Sequence, residues 1–427
     1  MIKWIDDIYE IRKCEKTVLM NPGEGTWVRI SNLALEECNN HIINKEKNTI
    51  DGDYQELYRI LEAYGMLYDT EEKKGKSTSI NTVYFLTTLQ CNMECDFCCV
   101  CASPIYEEKI MEKSDLQKMV DEIAKFNVRK VIFTGGEPFL YENLTFAIKQ
   151  LKLKSKSKIQ ICTNGILLND RTMHIFEYVD LVDISVENLF IEKNSKENLE
   201  ALENKIRKIK KHGTSVCISY VATKYNTNFI YDFLDYAYKN EVALSLKVVT
   251  PAGRANDNVE ILIDKDYAFD IMKHIYEYTF THNYFNEYFN EFLFPAYVPE
   301  KSCAASGKIL SIYPDGKIYS CFMLNKREFY LGNIKNMTLD KVLDNIKVNN
   351  ETDLYKNCFD KDCKKKCKDC TVRYFCEGNC SGISSEKDTN VLCEFYKKYF
   401  TFFIWHYSEA RSLRNNLEDF LKFMDEE

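Results

Sequence analysis

No stretch of this sequence is apolar enough to span a membrane, and no excess of basic residues marks it for nucleic acid. Its start, MIKWIDDIYEIRKCEKTVLM, has no cationic segment leading into an apolar core and a small-residue cleavage site. The formal net charge is −8, so a generally positive surface field is missing too, and nucleic acid and membrane are not expected as partners. The expected location is the cytoplasm. With no secretion signal, the 18 cysteines argue for metal or redox chemistry rather than a disulfide framework. Nor is this a scaffold too small for a core: 427 residues, 45% of them hydrophobic, predict two or three domains, each with a real interior.

What is present is organised. Residues 15–67 read as a compact unit, with strands TVLMN and TWVRI around the turn Pro22-Gly23-Glu24-Gly25, then helical patterns near 31–43 and 53–64. The polar stretch EEKKGKSTSINT (71–82) reads as a linker. From 83 to about 280, six short β-rich runs (VYFLTT, KVIFTGG, IQICTNG, LVDISVE, VCISYVA, ALSLKVVT) alternate with helical segments near 113–126, 142–152, 170–178, 195–212, 226–239 and 264–280. That alternation predicts a parallel α/β sheet, whose ligands belong beyond the carboxyl ends of the strands. Beyond 300 regular structure is expected to thin and cysteines to take over, before one amphipathic helix near 400–425. The expected domains are 1–75, 83–280 and 300–400, with a terminal helix over 401–427.

The cysteines fall into two groups, while Cys14, Cys38, Cys162 and Cys217 stand alone and read as buried small hydrophobes. Cys91, Cys95 and Cys98 form C-x3-C-x2-C on the loop after the first strand. Three thiolates can hold three irons of a [4Fe-4S] cluster and leave the fourth for an external ligand, whereas structural zinc wants four closed ligands. Here the sequence resembles the radical S-adenosylmethionine superfamily. Phe97 fits the family pattern, and Thr134-Gly135-Gly136-Glu137-Pro138 matches its GGE segment, whose backbone and acid receive the methionine amino group. Thr163-Asn164-Gly165 ends the third strand, and Ser185 and Glu187 follow the fourth, where family members contact the carboxylate and ribose of S-adenosylmethionine. The resemblance implies a partial (β/α)6 barrel in which a bound cofactor is cleaved to a 5'-deoxyadenosyl radical, fed by a low-potential donor such as ferredoxin or flavodoxin. Cys99 and Cys101, next to the loop, read as packing residues rather than hydrogen donors. No catalytic acid or base is nominated.

The second group is Cys303-x12-Gly316-x4-Cys321, then Cys367-x2-Cys370-x5-Cys376-x3-Cys380, then Cys393. It resembles the SPASM domain, which holds two auxiliary iron–sulfur clusters. By that resemblance Cys367, Cys370, Cys376 and Cys393 ligate the outer cluster, and Cys303, Cys321 and Cys380 the inner one, giving three [4Fe-4S] clusters in all. The inner site is one ligand short. Either Cys358 or Cys363 fills it, or it stands open to a substrate thiolate, the alternative the reading favours. The amino-terminal unit resembles the winged-helix-like leader-recognition element of ribosomal-peptide maturases, a relative of the pyrroloquinoline-quinone peptide chaperone. Such elements add an otherwise disordered leader as a strand at a sheet edge. Together the resemblances imply a maturase acting on a cysteine-containing precursor peptide, of the sactipeptide or ranthipeptide thioether type. Carbon–carbon crosslinking, epimerisation and a non-catalytic peptide-binding or electron-transfer role are the rivals.

Overall fold

The computed structural model describes residues 2–44, 52–69, 80–106, 110–191, 195–364, 367–376, 378, 380–383 and 390–426. Strand β1 (Ile2–Trp4) is followed by the antiparallel meander β2 (Tyr9–Lys13), β3 (Lys16–Asn21) and β4 (Thr26–Ser31). The β3–β4 turn closes as its sequence suggests, because the Asn21 side chain accepts from the Gly23 and Glu24 amides and Gly25 adopts φ +74°. Helices α1 (Asn32–Asn44) and α2 (Gly52–Ala63) and strand β5 (Leu67–Asp69), antiparallel to β1, complete the unit. Side chains alternate across a strand. Leu19 of β3 therefore enters a small core with Leu35, Cys38, Leu61, Met66 and Leu67, while Val18 and Met20 on its other face join the main core of the molecule. Most of the stretch read as a linker (71–82), its residues 71–79, lies outside the described residues.

The six expected strands are present and run parallel in chain order: β6 (Thr82–Thr88), β7 (Lys130–Gly135), β8 (Lys158–Thr163), β9 (Leu181–Ser185), β10 (Ser215–Ala222) and β11 (Ala243–Val248). Helices α3 (Lys113–Lys125), α4 (Leu144–Lys154), α5 (Glu187–Ile191), α6 (Ser195–Lys210) and α7 (Ile230–Lys239) alternate with them. After β11 come α8 (Arg254–Asp257), α9 (Lys265–Thr281) and α10 (Glu287–Leu293). One face of each strand is apolar and buried: Val83, Phe85, Val131, Phe133, Ile159, Ile161, Val182, Ile184, Val216 and Ile218 belong to the main core. The alternate positions Tyr84, Thr134, Cys162, Asp183, Ser219 and Lys247 face a cavity instead.

The carboxyl-terminal region departs from expectation in three ways. The hairpin β12 (Ile309–Ile312) and β13 (Lys317–Tyr319) is not a separate cysteine-rich piece, because β12 pairs in parallel with β6 and, with β14 (Tyr330–Asn333), extends the sheet to nine strands. Regular structure thins later than expected, since α11 (Leu339–Asn350) and α12 (Asp353–Phe359) follow the hairpin and it is the described residues between Phe359 and Cys393 that lack helix and strand. The closing helix is two helices, α13 (Cys393–Trp405) and α14 (Leu413–Asp425), and the expected boundary at 400/401 cuts α13. Their corner is held by buried Asn416, which bonds the Ser408 amide and carbonyl, and by Ser412, which caps α14 by accepting from the Asn415 amide. The helix expected near 170–178 is only a short 3-10 run, Met173–Tyr178. Asn169 and Thr172 divert the preceding backbone, the Asn169 side chain accepting from the Arg171 amide and the Thr172 hydroxyl from the Asn169 amide. Of the lone cysteines, Cys38 is buried as expected, but Cys14 is exposed at φ +51° in the tight turn between β2 and β3.

The amino-terminal sheet docks on the last helices. Trp27 packs edge-on to Phe375 at 5.4 Å and beside Phe403 at 5.8 Å. Arg29 donates to the carbonyls of Ile404 (2.9 Å) and Tyr407 (3.2 Å), at the carboxyl end of α13 where carbonyls lack helical partners. Arg29→Ala is expected to cost about 2 kcal/mol, the worth of charge-assisted bonds in a half-buried place. Denaturant midpoints of variant and parent would check it, and equal midpoints would show the dock to be idle.

Candidate functional site

At the carboxyl ends of the parallel strands lies a cavity of about 1160 Å³. Its rim begins with Cys91, Cys95 and Cys98, on a loop that leaves β6 and returns along itself: the Cys91 amide donates to Ser103 and the Ser103 amide to Leu89. Phe97 lines the cavity and packs onto Val249, Ala255 and Ile261, which pins the loop to the chain after β11.

That chain supplies a clamp the sequence reading missed. Arg254 donates through Nε to the Cys95 carbonyl (2.8 Å) and through Nη1 to the Ala102 carbonyl (2.8 Å), while its amide donates to the Cys98 carbonyl (3.1 Å). Its Nη2 is buried without a protein partner. Gly253 stands at φ +54° with its backbone against the loop, and a Cβ there would lie 2.3 Å from the Cys98 oxygen. PAGRA, directly after the sixth strand, was the available signal: a Pro and a Gly framing one cation at a strand end.

Gly135 and Gly136 have an equally direct reason. A Cβ on Gly135 would meet the Thr88 oxygen at 2.3 Å, and one on Gly136 the Gln90 oxygen at 2.0 Å. The glycines let the end of β7 lie against the backbone leading to Cys91, where the Gly136 amide donates to Thr88 (2.6 Å) and the Glu137 amide to Gln90 (3.0 Å). The Glu137 carboxylate, 1% exposed, accepts from the Phe139 amide (3.1 Å), the Thr163 hydroxyl (2.8 Å) and the Asn164 amide (3.0 Å). Burial pushes its pKa up against those bonds. A carboxylate offers about four acceptor sites, so the acid expected to meet a methionine amino group spends most of its capacity fastening β7 to β8. Asn164 continues the chain of contacts, donating to Asn92 at 2.7 Å inside the cysteine loop. Pro138 starts a 3-10 turn, is buried, and does not line the cavity.

Gly165, Thr163, Ser185 and Glu187 also line the cavity. Glu187 is 5% exposed, accepts from the Val221 amide at 2.8 Å, and is pushed by burial to a pKa of about 7. Cys162, Asp183, Ser219 and Lys247 form a polar floor that sequence reasoning did not nominate. Asp183 bonds Ser219, its Oδ1 is buried with no protein partner, and its pKa is raised by burial.

Of the carboxyl-terminal cysteines, Cys376 and Cys380 line the same cavity, as does Cys99 of the first loop. Two sets emerge. Cys321 interacts electrostatically with Cys303 and Cys380, and burial holds its thiol up at about 12. Cys393 interacts with Cys367 and Cys370, and Cys376 with Cys367 and Cys393. Cys101 is exposed, at φ +54°. Among the described residues no three His, Cys, Asp or Glu side chains converge as ligands of a single ion would. A cubane takes one thiolate at each corner and asks for no such convergence, so all-sulfur sets of three and four fit iron–sulfur centres by their donor chemistry.

Residues 85–265 match the Radical SAM superfamily, and 303–371 match SPASM, an iron–sulfur cluster-binding domain. The second match ends before Cys376, Cys380 and Cys393. Among curated proteins the chain is similar to the GTP 3',8-cyclase of Clostridium perfringens (strain SM101 / Type A), 30% identical over 192 residues, covering 43% of this chain and 59% of that protein. It is also similar to the GTP 3',8-cyclase of Aquifex aeolicus (strain VF5), 27% identical over 259 residues, or 56% of this chain and 81% of that one. The first of these is thus matched over less than two thirds of its length. Among solved structures, anSMEcpe with bound AdoMet superposes at TM-score 0.59 and 17% identity, covering 81% of this chain and 99% of that one. Streptococcus suis SuiB bound to precursor peptide SuiA superposes at 0.51 and 16%, covering 89% and 95%. At such identities these likenesses establish the fold, an α/β parallel sheet, while the radical SAM and SPASM matches stand on residues 85–265 and 303–371.

Two outcomes follow from the geometry. Arg254→Gln removes charge-assisted bonds worth about 1.5–3 kcal/mol each from the cysteine loop. Iron retained by that loop after reconstitution should fall severalfold, with far-ultraviolet circular dichroism unchanged, and full iron retention would count against the clamp. For Glu187, a folded pKa of about 7 against an ordinary 4.5 means that the folded protein keeps a proton the unfolded chain loses. Stability of the cluster-free protein should therefore be higher below pH 4.5 and decline as pH rises to about 7, and Glu187→Gln should flatten that decline in urea titrations.

Proposed function

From a radical SAM domain and a SPASM domain meeting across one cavity, we propose that this chain is a radical S-adenosylmethionine maturase. Its reaction is the joining of cysteine sulfur to carbon, as thioether crosslinks in a ribosomally made precursor peptide. The observation that carries the reading is the shared cavity: Cys91, Cys95 and Cys98 line one wall and Cys376 and Cys380 another. Peptide is the favoured substrate because the cavity is far larger than one side chain needs and is lined by both polar and apolar groups. Two similar structures are named with peptides, SuiB with its precursor SuiA and anSMEcpe with Cp18Cys. The meander β2-β3-β4 supports leader binding, since a sheet edge can take an added strand.

In this reading Cys91, Cys95 and Cys98 hold a [4Fe-4S] cluster, and Gly135, Gly136, Glu137, Thr163 and Asn164 frame the methionine end of S-adenosylmethionine. Phe97, Ser185 and Glu187 frame the remainder, within a partial (β/α)6 barrel. The bound pair supplies a 5'-deoxyadenosyl radical able to take hydrogen from an unactivated carbon. The chain's own task is to hold the acceptor carbon and the cysteine sulfur in register and to keep water out. The substrate loses one hydrogen atom to the adenosyl carbon, one proton from the thiol, and one electron. The carboxyl-terminal cysteines would hold two auxiliary clusters, and these would supply an acceptor for that electron. A ferredoxin or flavodoxin is the reductant class proposed to start the reaction.

The test is an anaerobic incubation of cluster-reconstituted protein with S-adenosylmethionine, reductant and the cysteine-containing peptide encoded beside its gene, read by mass spectrometry. Loss of two hydrogens per modification, cysteines resistant to alkylation, and 5'-deoxyadenosine are the expected results. Unchanged mass with solvent deuterium incorporated would replace thioether formation by epimerisation. Loss of two hydrogens with free cysteines would replace it by carbon–carbon crosslinking. Absence of 5'-deoxyadenosine would refute the radical reading.

A further inference from the structure

We infer that Cys358 completes the inner auxiliary site, so that Cys303, Cys321, Cys380 and Cys358 are four protein thiolates and no iron of that cluster is left for a substrate sulfur. The inference rests on reading residues 303–393 as an iron–sulfur region, and it answers the question that the spacing of the cysteines leaves open.

Cys358 sits in the last turn of α12, which opens at its cap Thr352, whose hydroxyl accepts from the Tyr355 amide. The chain just after it is zipped to the chain around Cys303. The Cys303 amide donates to the Phe359 carbonyl at 2.9 Å, and Ser302 and Asp360 form an antiparallel bridge. This sets Cys358 and Cys303 close enough for their thiols to interact electrostatically. The other side is fixed as well: the Ser381 hydroxyl donates to the Cys358 carbonyl, one residue along the chain from Cys380. Cys303, Cys321 and Cys358 then share one apolar wall, packing against Ala305, Leu324, Phe329, Tyr355 and Phe359. The rings of Phe329, Tyr355 and Phe359 meet at 5.0 to 5.9 Å and make that wall rigid.

Cys363 has none of these ties. It lies beyond the point where the Lys361 amide donates to the Lys301 carbonyl, and it is exposed. Of the two candidates, only Cys358 is held against a cysteine already assigned to the inner set and against the neighbour of another. The functional consequence is specific. A cluster with four protein thiolates relays or stores an electron, and the peptide cysteine must be positioned by the cavity itself rather than by iron. Thioether formation remains open to this chain, but not by seating the substrate sulfur on the inner cluster.

The experiment uses full-length Cys91→Ala/Cys95→Ala/Cys98→Ala protein, reconstituted with iron and sulfide so that only auxiliary clusters are present. Isotopically labelled cyanide, which binds an iron lacking a protein ligand, is the probe, read as hyperfine coupling in the reduced electron paramagnetic resonance signal. The expected result is no coupling in this parent, coupling once Cys358→Ala is added, and none with Cys363→Ala. Coupling in the parent, or coupling opened by Cys363→Ala instead, overturns the inference. Should Cys358→Ala lose the inner cluster, alkylation of the unsubstituted holoprotein decides. Cys358 is then expected to be protected until a chelator strips the iron while Cys363 reacts throughout, and equal labelling of the two in the holoprotein overturns the assignment. No auxiliary signal in the parent at all would overturn the iron–sulfur reading of the whole region, a result distinct from the others.

Discussion

The site depends on backbone lying directly on backbone at the carboxyl ends of the strands. The loop of Cys91, Cys95 and Cys98 has no regular structure of its own, so its shape is borrowed from two neighbours. On one side Gly135 and Gly136 bring the end of β7 against residues 88–90, at a separation where any Cβ would lie within 2.3 Å of a carbonyl oxygen. On the other side Gly253 and Arg254 close on the Cys98 and Cys95 carbonyls. Steric exclusion of side chains, rather than favourable contacts alone, fixes where the three sulfurs stand. Glu137 and Asn164 then pass that constraint along to β8, so that one connected set of bonds frames this side of the cavity.

A second constraint is the period of the sheet. Strands with both faces covered are usually apolar throughout. Here one face is apolar against helices and the other carries Tyr84, Cys162, Asp183, Ser219 and Lys247 toward a cavity. A polar inner face cannot be collapsed into a core without leaving unpaired groups, which keeps the cavity open to a substrate that supplies partners. The β12–β13 hairpin adds to this by pairing with β6, whose edge would otherwise present unpaired amides and carbonyls. Through that pairing the carboxyl-terminal region becomes part of the sheet rather than an appendage, and two of its cysteines, Cys376 and Cys380, line the same cavity.

The six parallel strands were legible because each is a short β-rich run, and the glycine pairs and cysteine spacings were legible because backbone approach and iron ligation restrict residue type at fixed intervals. What was hidden depends on partners far apart in the chain. Nothing local in SIYPDGKIYSC says that its first strand will lie beside VYFLTT, and nothing in PAGRA says that its arginine will reach the carbonyls of Cys95 and Ala102. The polar residue in LVDIS was visible as half of an alternation, but its place in the cavity floor needed the neighbouring strands. Cys358 lies outside every spacing rule, and the bridge between Ser302 and Asp360 with the bond from the Cys303 amide to the Phe359 carbonyl brings it to Cys303. Conversely, the segment 170–178 was misread as an α-helix because the side chains of Asn169 and Thr172 compete for backbone groups in a way that apolar periodicity does not register.

The electrostatics of the cysteines bears on how such a site is assembled. Burial lifts Cys95 and Cys321 to about 12 and Cys376 to about 11, and in each case a neighbouring cysteine contributes in the same direction. Positive charge stands beside several of the cysteines: Arg254 near Cys95, Lys361 near Cys376 and Lys397 near Cys393. An iron–sulfur cluster held there would add positive charge, and its loading would release the protons of Cys95, Cys321 and Cys376. The auxiliary cysteines come from the hairpin, α12, the loop after it and the start of α13, elements that share no continuous secondary structure. The loop of Cys91, Cys95 and Cys98 and the end of β7, by contrast, are set by contacts within the chain.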